Sequence, residues 1–187
     1  MVLSRVRFLA AALVLALARA QAATAQDFAS ERRAMVDEIA ATVREIGTEI
    51  GQRAFDERVL AAMAEVPRHA FVPAEQVRSA YRNRPLPIGH GQTISQPFIV
   101  ALMTDLARVE AGDRVLEVGT GSGYQAAVMA RLAQAVYSIE IIEPLGLQAM
   151  ERLSRLGYGN VRVRLGDGYH GWEEHAPYDA ILVTAAW

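Results

Sequence analysis

The sequence predicts an α/β three-layer sandwich built around a parallel sheet. Three observations predict it. Short apolar runs alternate with helical stretches from Arg114 onward, the first run exits into a glycine-rich turn that opens a helix, and acidic residues stand at the ends of the next two runs. Strand–helix–strand order implies parallel pairing through right-handed crossovers.

The chain opens on an address. Arg5 and Arg7 precede an apolar run from Phe8 to Leu17, followed by small residues ending Ala23-Thr24-Ala25. A basic start, a short apolar middle and an A-x-A exit describe a secretory signal peptide over residues 1–25. The run is shorter than the about 20 apolar residues of a spanning helix, and Arg19 interrupts its extension. Cleavage leaves residues 26–187 as one domain with 16 basic against 21 acidic residues, a net charge of −5. The expected destination is the periplasm or the exterior, with no membrane partner after cleavage. A non-functional leader would leave the protein in the cytoplasm.

From Phe28 to Ile50, Val36, Ile39, Val43, Ile46 and Ile50 form a helical stripe, and the charged residues between them a solvated face. Asp56 is placed to cap a second helix carrying Val59, Leu60 and Met63, which stops before Pro67. Residues 67–97 hold five prolines together with Gly89 and Gly91, and read as loop with a short helix near Ala74 to Tyr81. Pro97 suits the first turn of a helix through Leu106. Strands are then expected over Arg114 to Val118, Ala135 to Ile141, Val161 to Leu165 and Asp179 to Thr184. Helices are expected over Tyr124 to Leu132 and Pro144 to Leu156.

Composition removes whole reaction classes. The chain has no lysine, all 19 basic residues being arginine, and no cysteine. A Walker loop and a Schiff-base enzyme need the first; thiolate catalysis, disulfides and Cys-type zinc sites need the second. The net charge of −2 for the whole chain argues against broad nucleic-acid binding. His69, His90, His170 and His175 show no metal-ligand spacing, so no metal is expected, and His170 and His175 read as surface or packing residues. Ser122 lacks a G-x-S-x-G frame and is no nucleophile elbow.

The turn Glu117-Val118-Gly119-Thr120-Gly121-Ser122-Gly123-Tyr124 allows a ligand to approach the main chain closely. A nicotinamide fingerprint wants a small residue where Tyr124 stands. G-x-G-x-G fits S-adenosylmethionine (SAM) better, a ligand without phosphates. Glu140, ending the second strand, is placed to accept from ribose hydroxyls. Asp167 in Gly166-Asp167-Gly168 is placed to accept from the adenine amino group, with Gly168 letting the ring pack on backbone.

A second element, LPIGHGQTISQP from Leu86 to Pro97, is oddly specific for a bland loop. Together with DERVLAAMAEVPRHAFVP, VLEVGTGSGYQAAV, GDGYHGW and PYDAILVTAA it resembles the protein-L-isoaspartate (D-aspartate) O-methyltransferases over Phe55 to Ala186. The resemblance implies a Rossmann-like class I SAM-dependent methyltransferase sandwich. The activity it implies is methyl transfer from SAM to the α-carboxylate of isoaspartyl residues in damaged proteins. It assigns Ser95 to the active site and lines cofactor and substrate with Gln92, Thr93 and Ile94. Glu117, Gly119, Gly121, Ser122, Gly123, Glu140, Asp167 and Gly168 become cofactor contacts. Its partners would be isoaspartyl peptides and proteins, not nucleic acid, and the enzyme a monomer. The family's sheet continues for further strands, so this chain is expected to lack the C-terminal half of the sheet. The acceptor carboxylate, with a pKa of about 3.5, is already ionised and needs no general base. A SAM methyltransferase with a small-molecule or RNA acceptor, and a non-catalytic SAM-binding module, are the alternatives.

Overall fold

A computed structural model describes residues 28–185; the expected leader lies outside them. Helix α1 spans 28–50 and buries Met35, Ile39 and Val43 at a four-residue period, with Val36, Ile46 and Ile50 half-buried beside them. Helix α2 (Glu57–Glu65) starts at Asp56, whose carboxylate accepts from the Arg58 N–H at 2.8 Å. It ends as Pro67 approaches, since the residue before a proline disfavours helix.

The proline-rich stretch is more ordered than its composition suggests. It contains 3₁₀ turns at Arg68–Phe71 and Ala74–Ser79, then an antiparallel hairpin of β1 (Leu86–Gly89) and β2 (Gln92–Ile94). The expected loop over these residues is thus corrected to a hairpin. Its turn residues His90 and Gly91 both have positive φ, 51° and 71°, the twist that matches a two-residue hairpin connection. Leu86, Ile88 and Ile94 point inward, a pattern too short and too broken by Pro87 to stand out in the sequence. Helix α3 (Pro97–Leu106) begins on its proline as expected, and Asn83 caps it from outside by accepting from the Phe98 N–H at 3.0 Å.

The remaining strands are β3 (Arg114–Val118), β4 (Ala135–Glu140), β5 (Val161–Leu165) and β6 (Ala180–Val183), separated by α4 (Tyr124–Met129) and α5 (Glu143–Arg155). Helix α4 stops three residues before its expected end. The amides of Arg131 and Leu132 bond to Val128 and Met129, three residues back, which tightens the last turn out of α-geometry. The sheet is parallel, in order β5-β4-β3-β6.

Alternation sorts its two faces. Val115, Val136 and Leu182 pack under α4, whose residues are all buried. Leu116, Tyr137 and Ile139 face the other way and meet Trp172 and Tyr178. No α-helix covers that second face among the described residues; 3₁₀ turns at Gly168–His170 and Glu173–His175 run across it. His175 stacks on Tyr137 with ring centroids 4.2 Å apart, the packing role expected of it. On edge strand β6, Ile181 and Val183 remain 62% and 58% exposed, so apolar surface is left bare on this face.

The chain runs β3, β4, β5 in one direction and then returns to the opposite side of β3 as β6. That reversal opens a crevice at the carboxyl ends of β3 and β6, where ligands of open parallel sheets bind.

Candidate active site

Where β3 ends, Gly119 turns the chain with φ 101° while its N–H donates to the Ile139 carbonyl at 2.8 Å. A Cβ there would lie 2.8 Å from the Ala185 nitrogen, so both conformation and space demand glycine. The Thr184 hydroxyl donates to the Gly119 carbonyl at 2.6 Å and closes β6 against the turn.

Beneath the turn lies a chain of buried polar groups. The Ser138 hydroxyl donates to Glu117 Oε2 at 2.5 Å, and Ser138 Oγ is itself 2.5 Å from the Thr120 hydroxyl. Either hydroxyl can be the donor in the second bond, depending on which Glu117 oxygen carries the carboxyl proton. Glu117 Oε1 has no partner, and burial pushes the Glu117 carboxyl up to about 8; the Ser138 hydrogen bond pulls the other way and the Glu140 charge adds to the rise. Burial therefore favours the protonated form of Glu117 at neutral pH. Gln125, on α4, donates to the Thr104 hydroxyl at 2.8 Å and likewise leaves its Oε1 unpaired.

These groups wall one recess. Thr93, Ile94 and Ser95 form one side of it, and Glu117, Gly119, Thr120, Gly121, Ser122, Tyr124, Gln125 and Thr184 the other. Its volume of about 40 Å³ admits a small polar group rather than a nucleoside. Just outside, Glu140 ties the turn down, accepting from the Gly121 N–H at 2.7 Å and the Ile142 N–H at 2.9 Å. Each of its oxygens keeps a second lone pair. Gly166 donates to the Glu140 carbonyl at 2.9 Å, which brings the β5 exit alongside. A Cβ on Gly168 would lie 2.3 Å from Val118 Cγ1, so this loop sits directly on the end of β3. Asp167 is exposed and accepts from the Tyr169 N–H at 2.9 Å.

The structure therefore gathers most of the residues expected from sequence, in two places. Thr93, Ile94, Ser95, Glu117, Gly119, Gly121 and Ser122 meet in the recess, while Glu140, Asp167 and Gly168 form a ledge beside it. Two lie elsewhere. Gln92 is exposed in β2 and does not wall the recess, and Gly123 is buried with α5's Leu153 over it. Several neighbours escaped sequence reading. Thr120 in the turn, Ser138 inside β4 and Thr184 just past β6 carry no pattern that marks them in the sequence. Ile141, 69% exposed, and Tyr169, 91% exposed, are large apolar side chains open to solvent on the ledge. The available signal for Ile141 was its position one residue past Glu140, where a buried strand has already ended.

Behind the recess, Arg68 is fully buried. Its Nη2 donates to the Ser95 carbonyl at 2.8 Å and its Nε to the Ala80 carbonyl at 2.8 Å. A larger groove of about 330 Å³ lies at the opposite, amino ends of the strands. Much of its charged wall is already engaged internally: Arg58 bonds Asp56 at 2.8 Å and Glu110 at 2.9 Å. The carboxyl-end recess is the better candidate.

Residues 44–187 match the family described as protein-L-isoaspartate(D-aspartate) O-methyltransferase. The chain belongs to that family. Among its curated relatives, protein-L-isoaspartate O-methyltransferase 2 of a Polaromonas species is 78% identical over 152 residues, covering 81% of this chain and 72% of the relative. Protein-L-isoaspartate O-methyltransferase 1 of Cupriavidus necator is 61% identical over 178 residues, covering 95% of this chain and 69% of the relative. A solved protein-L-isoaspartate O-methyltransferase superposes with a TM-score of 0.69 at 31% identity, covering 80% of this chain but 48% of that one. Another, from Plasmodium falciparum and in complex with S-adenosyl-L-homocysteine, has a TM-score of 0.62 at 26% identity, covering 79% of this chain and 72% of that one. The fold shared with these family members is the α/β fold with a parallel sheet expected from the sequence, although among the described residues α-helices cover one face of that sheet and not both.

Because Glu117 holds its proton well above its unfolded range, the sign of its pH effect is fixed. Between about pH 4.5 and 8 the folded protein keeps a proton the unfolded chain has lost, so stability falls as pH rises across that window. Glu117→Gln should flatten this slope in urea unfolding and stabilise the protein at pH 8 by on the order of a few kcal/mol. An unchanged slope would mean Glu117 is ionised in the folded state.

Proposed function

We propose that the chain is a protein carboxyl O-methyltransferase that moves a methyl group from SAM to the α-carboxylate of isoaspartyl residues in damaged proteins. The observation that carries this reading is the shared recess: Ser95 of the T-I-S-Q-P element forms one wall and the glycine turn the other. The names of the Polaromonas and Cupriavidus relatives support the same activity.

The residues present suit SAM. Glu117 Oε1 and Gln125 Oε1 are buried oxygens without partners, and an ammonium group such as the methionine end of SAM carries donors for both once the Glu117 carboxyl gives up its proton. The free lone pairs of Glu140 suit a ribose diol. Ile141 and Gly168 offer an apolar edge and bare backbone for a flat ring, and Asp167 an acceptor for its amino group. When bound, SAM supplies an activated methyl on a positively charged sulfur. In-line attack by the acceptor carboxylate destroys opposite charges, so the site needs a dry, fixed geometry more than an acid or base. No histidine walls the recess. Holding reactants in attack geometry supplies on the order of 7–11 kcal/mol in favourable cases. In this reading the Ser95 hydroxyl donates to one acceptor oxygen and aims the other.

The reading includes export: a leader over residues 1–25, cleaved after Ala25, takes the enzyme to the periplasm. Amino-terminal sequencing of the protein from its native host should then begin at Gln26; a cytoplasmic protein retaining its leader would overturn this part.

Labelled SAM and paired aspartyl and isoaspartyl peptides test the activity. Base-labile label should appear on the isoaspartyl peptide alone, and Ser95→Ala should lower turnover about a hundredfold with SAM affinity preserved. Label on RNA or a small metabolite, or binding without transfer, contradicts the proposed acceptor. Equal loss of SAM affinity in Ser95→Ala contradicts the role given to Ser95.

A further inference from the structure

Arg68 is a buried cation without an anion. It is 0% exposed, and among the described residues the ion pairs are Arg58 with Asp56, Arg58 with Glu110, and Arg131 with Glu65. Its partners are instead the carbonyls of Ala80 and Ser95 and the ring of Tyr124, over which its guanidinium carbon sits 4.8 Å from the centroid. Nη1 has no hydrogen-bond partner. Burying an uncompensated charge is costly, and an apolar side chain of similar size commonly serves packing as well or better. The surroundings, which include Phe71 and Tyr124, are already apolar. Packing alone therefore gives no reason for arginine.

What Arg68 touches supplies one. Ser95 belongs to the acceptor wall of the recess, and Tyr124 is the first residue of α4, directly after the glycine turn. One side chain thus fixes both halves of the site against each other. Its charge lies behind Ser95, away from solvent screening, where attraction for an anion is least weakened.

We propose that Arg68 is a positioning residue for the transfer: its fork sets the Ser95 backbone, and its unpaired positive charge draws the acceptor carboxylate to the Ser95 side of the recess. This rests on the isoaspartyl reading above. In the step itself a carboxylate oxygen bonds to the methyl carbon, the carbon–sulfur bond breaks, and its electron pair stays on sulfur. The acceptor leaves as a neutral ester, so Arg68 favours the incoming anion over the departing product. Attraction for the ground-state anion appears in KM, while placement of Ser95 appears in kcat.

Two variants separate these contributions. Arg68→Lys keeps the charge and loses the fork; its kcat should fall on the order of tenfold or more with KM for the isoaspartyl peptide within about twofold. Arg68→Met loses both, and its KM should rise about tenfold as well. Both should bind S-adenosylhomocysteine within about threefold of the unaltered protein, as measured by calorimetry. Amide hydrogen exchange gives a readout that needs no activity and serves even if Arg68→Met fails to fold. Residues 93–96 should exchange faster in Arg68→Lys while residues 119–124 keep their protection. Parallel loss of S-adenosylhomocysteine affinity and turnover, an unchanged KM in a folded Arg68→Met, or unchanged exchange at residues 93–96 would overturn the proposal. Absence of methyl transfer by the unaltered protein would instead sink the functional reading, leaving the exchange result to judge the Ser95 anchor.

Discussion

Strand β3 pairs with β4 on one side and β6 on the other, and the chain cannot make that arrangement without reversing direction across the sheet. The reversal leaves the carboxyl ends of two adjacent parallel strands without a connection running over them. Glycine at position 119 lets the β3 exit fold flat into that gap, and Thr184 locks the β6 exit against it. Every candidate contact is placed by this one constraint. The turn forms the floor, the hairpin and the Ser95 loop come over from the amino-terminal side, and the β5 exit lies alongside because it is hydrogen-bonded to β4.

The electrostatics around the recess follow from how deeply two ionisable groups are buried beside it. Glu117 and Arg68 are both fully buried, yet neither neutralises the other. One lies under the glycine turn, where burial favours its protonated form; the other lies behind the Ser95 loop, and arginine keeps its charge in almost any surroundings. The result is a site with a latent negative group where a cationic donor would enter and a fixed positive group where an anionic acceptor would enter. A reaction that annihilates a sulfonium and a carboxylate gains from such an arrangement through orientation, with no proton to move.

The sheet half of the fold was legible because strand and helix differ in period, and runs such as Arg114–Val118 and Val161–Leu165 end at punctuation that the backbone obeys. The hairpin was not, since Leu86, Ile88 and Ile94 are too few to show a period and Pro87 argues for loop. In the site, Glu140 and Asp167 were visible as acids at strand ends, and Ser95 through a family resemblance. Arg68 was invisible: a single arginine after a proline carries no periodic signal, and its importance lies in contacts 12 and 27 residues away. Ser138 was invisible for a similar reason, because a buried serine in a strand gains meaning only from the carboxyl facing it across the sheet.

The most direct measurement is a titration of the isotope-labelled protein with S-adenosylhomocysteine, followed by backbone amide NMR. The account predicts shifts concentrated at Gly119 to Gly123, at Ile142 and across Gly166 to Tyr169, with the groove around Arg58 and Glu110 undisturbed. No saturable shift at the glycine turn, or shifts centred on that groove, would contradict it.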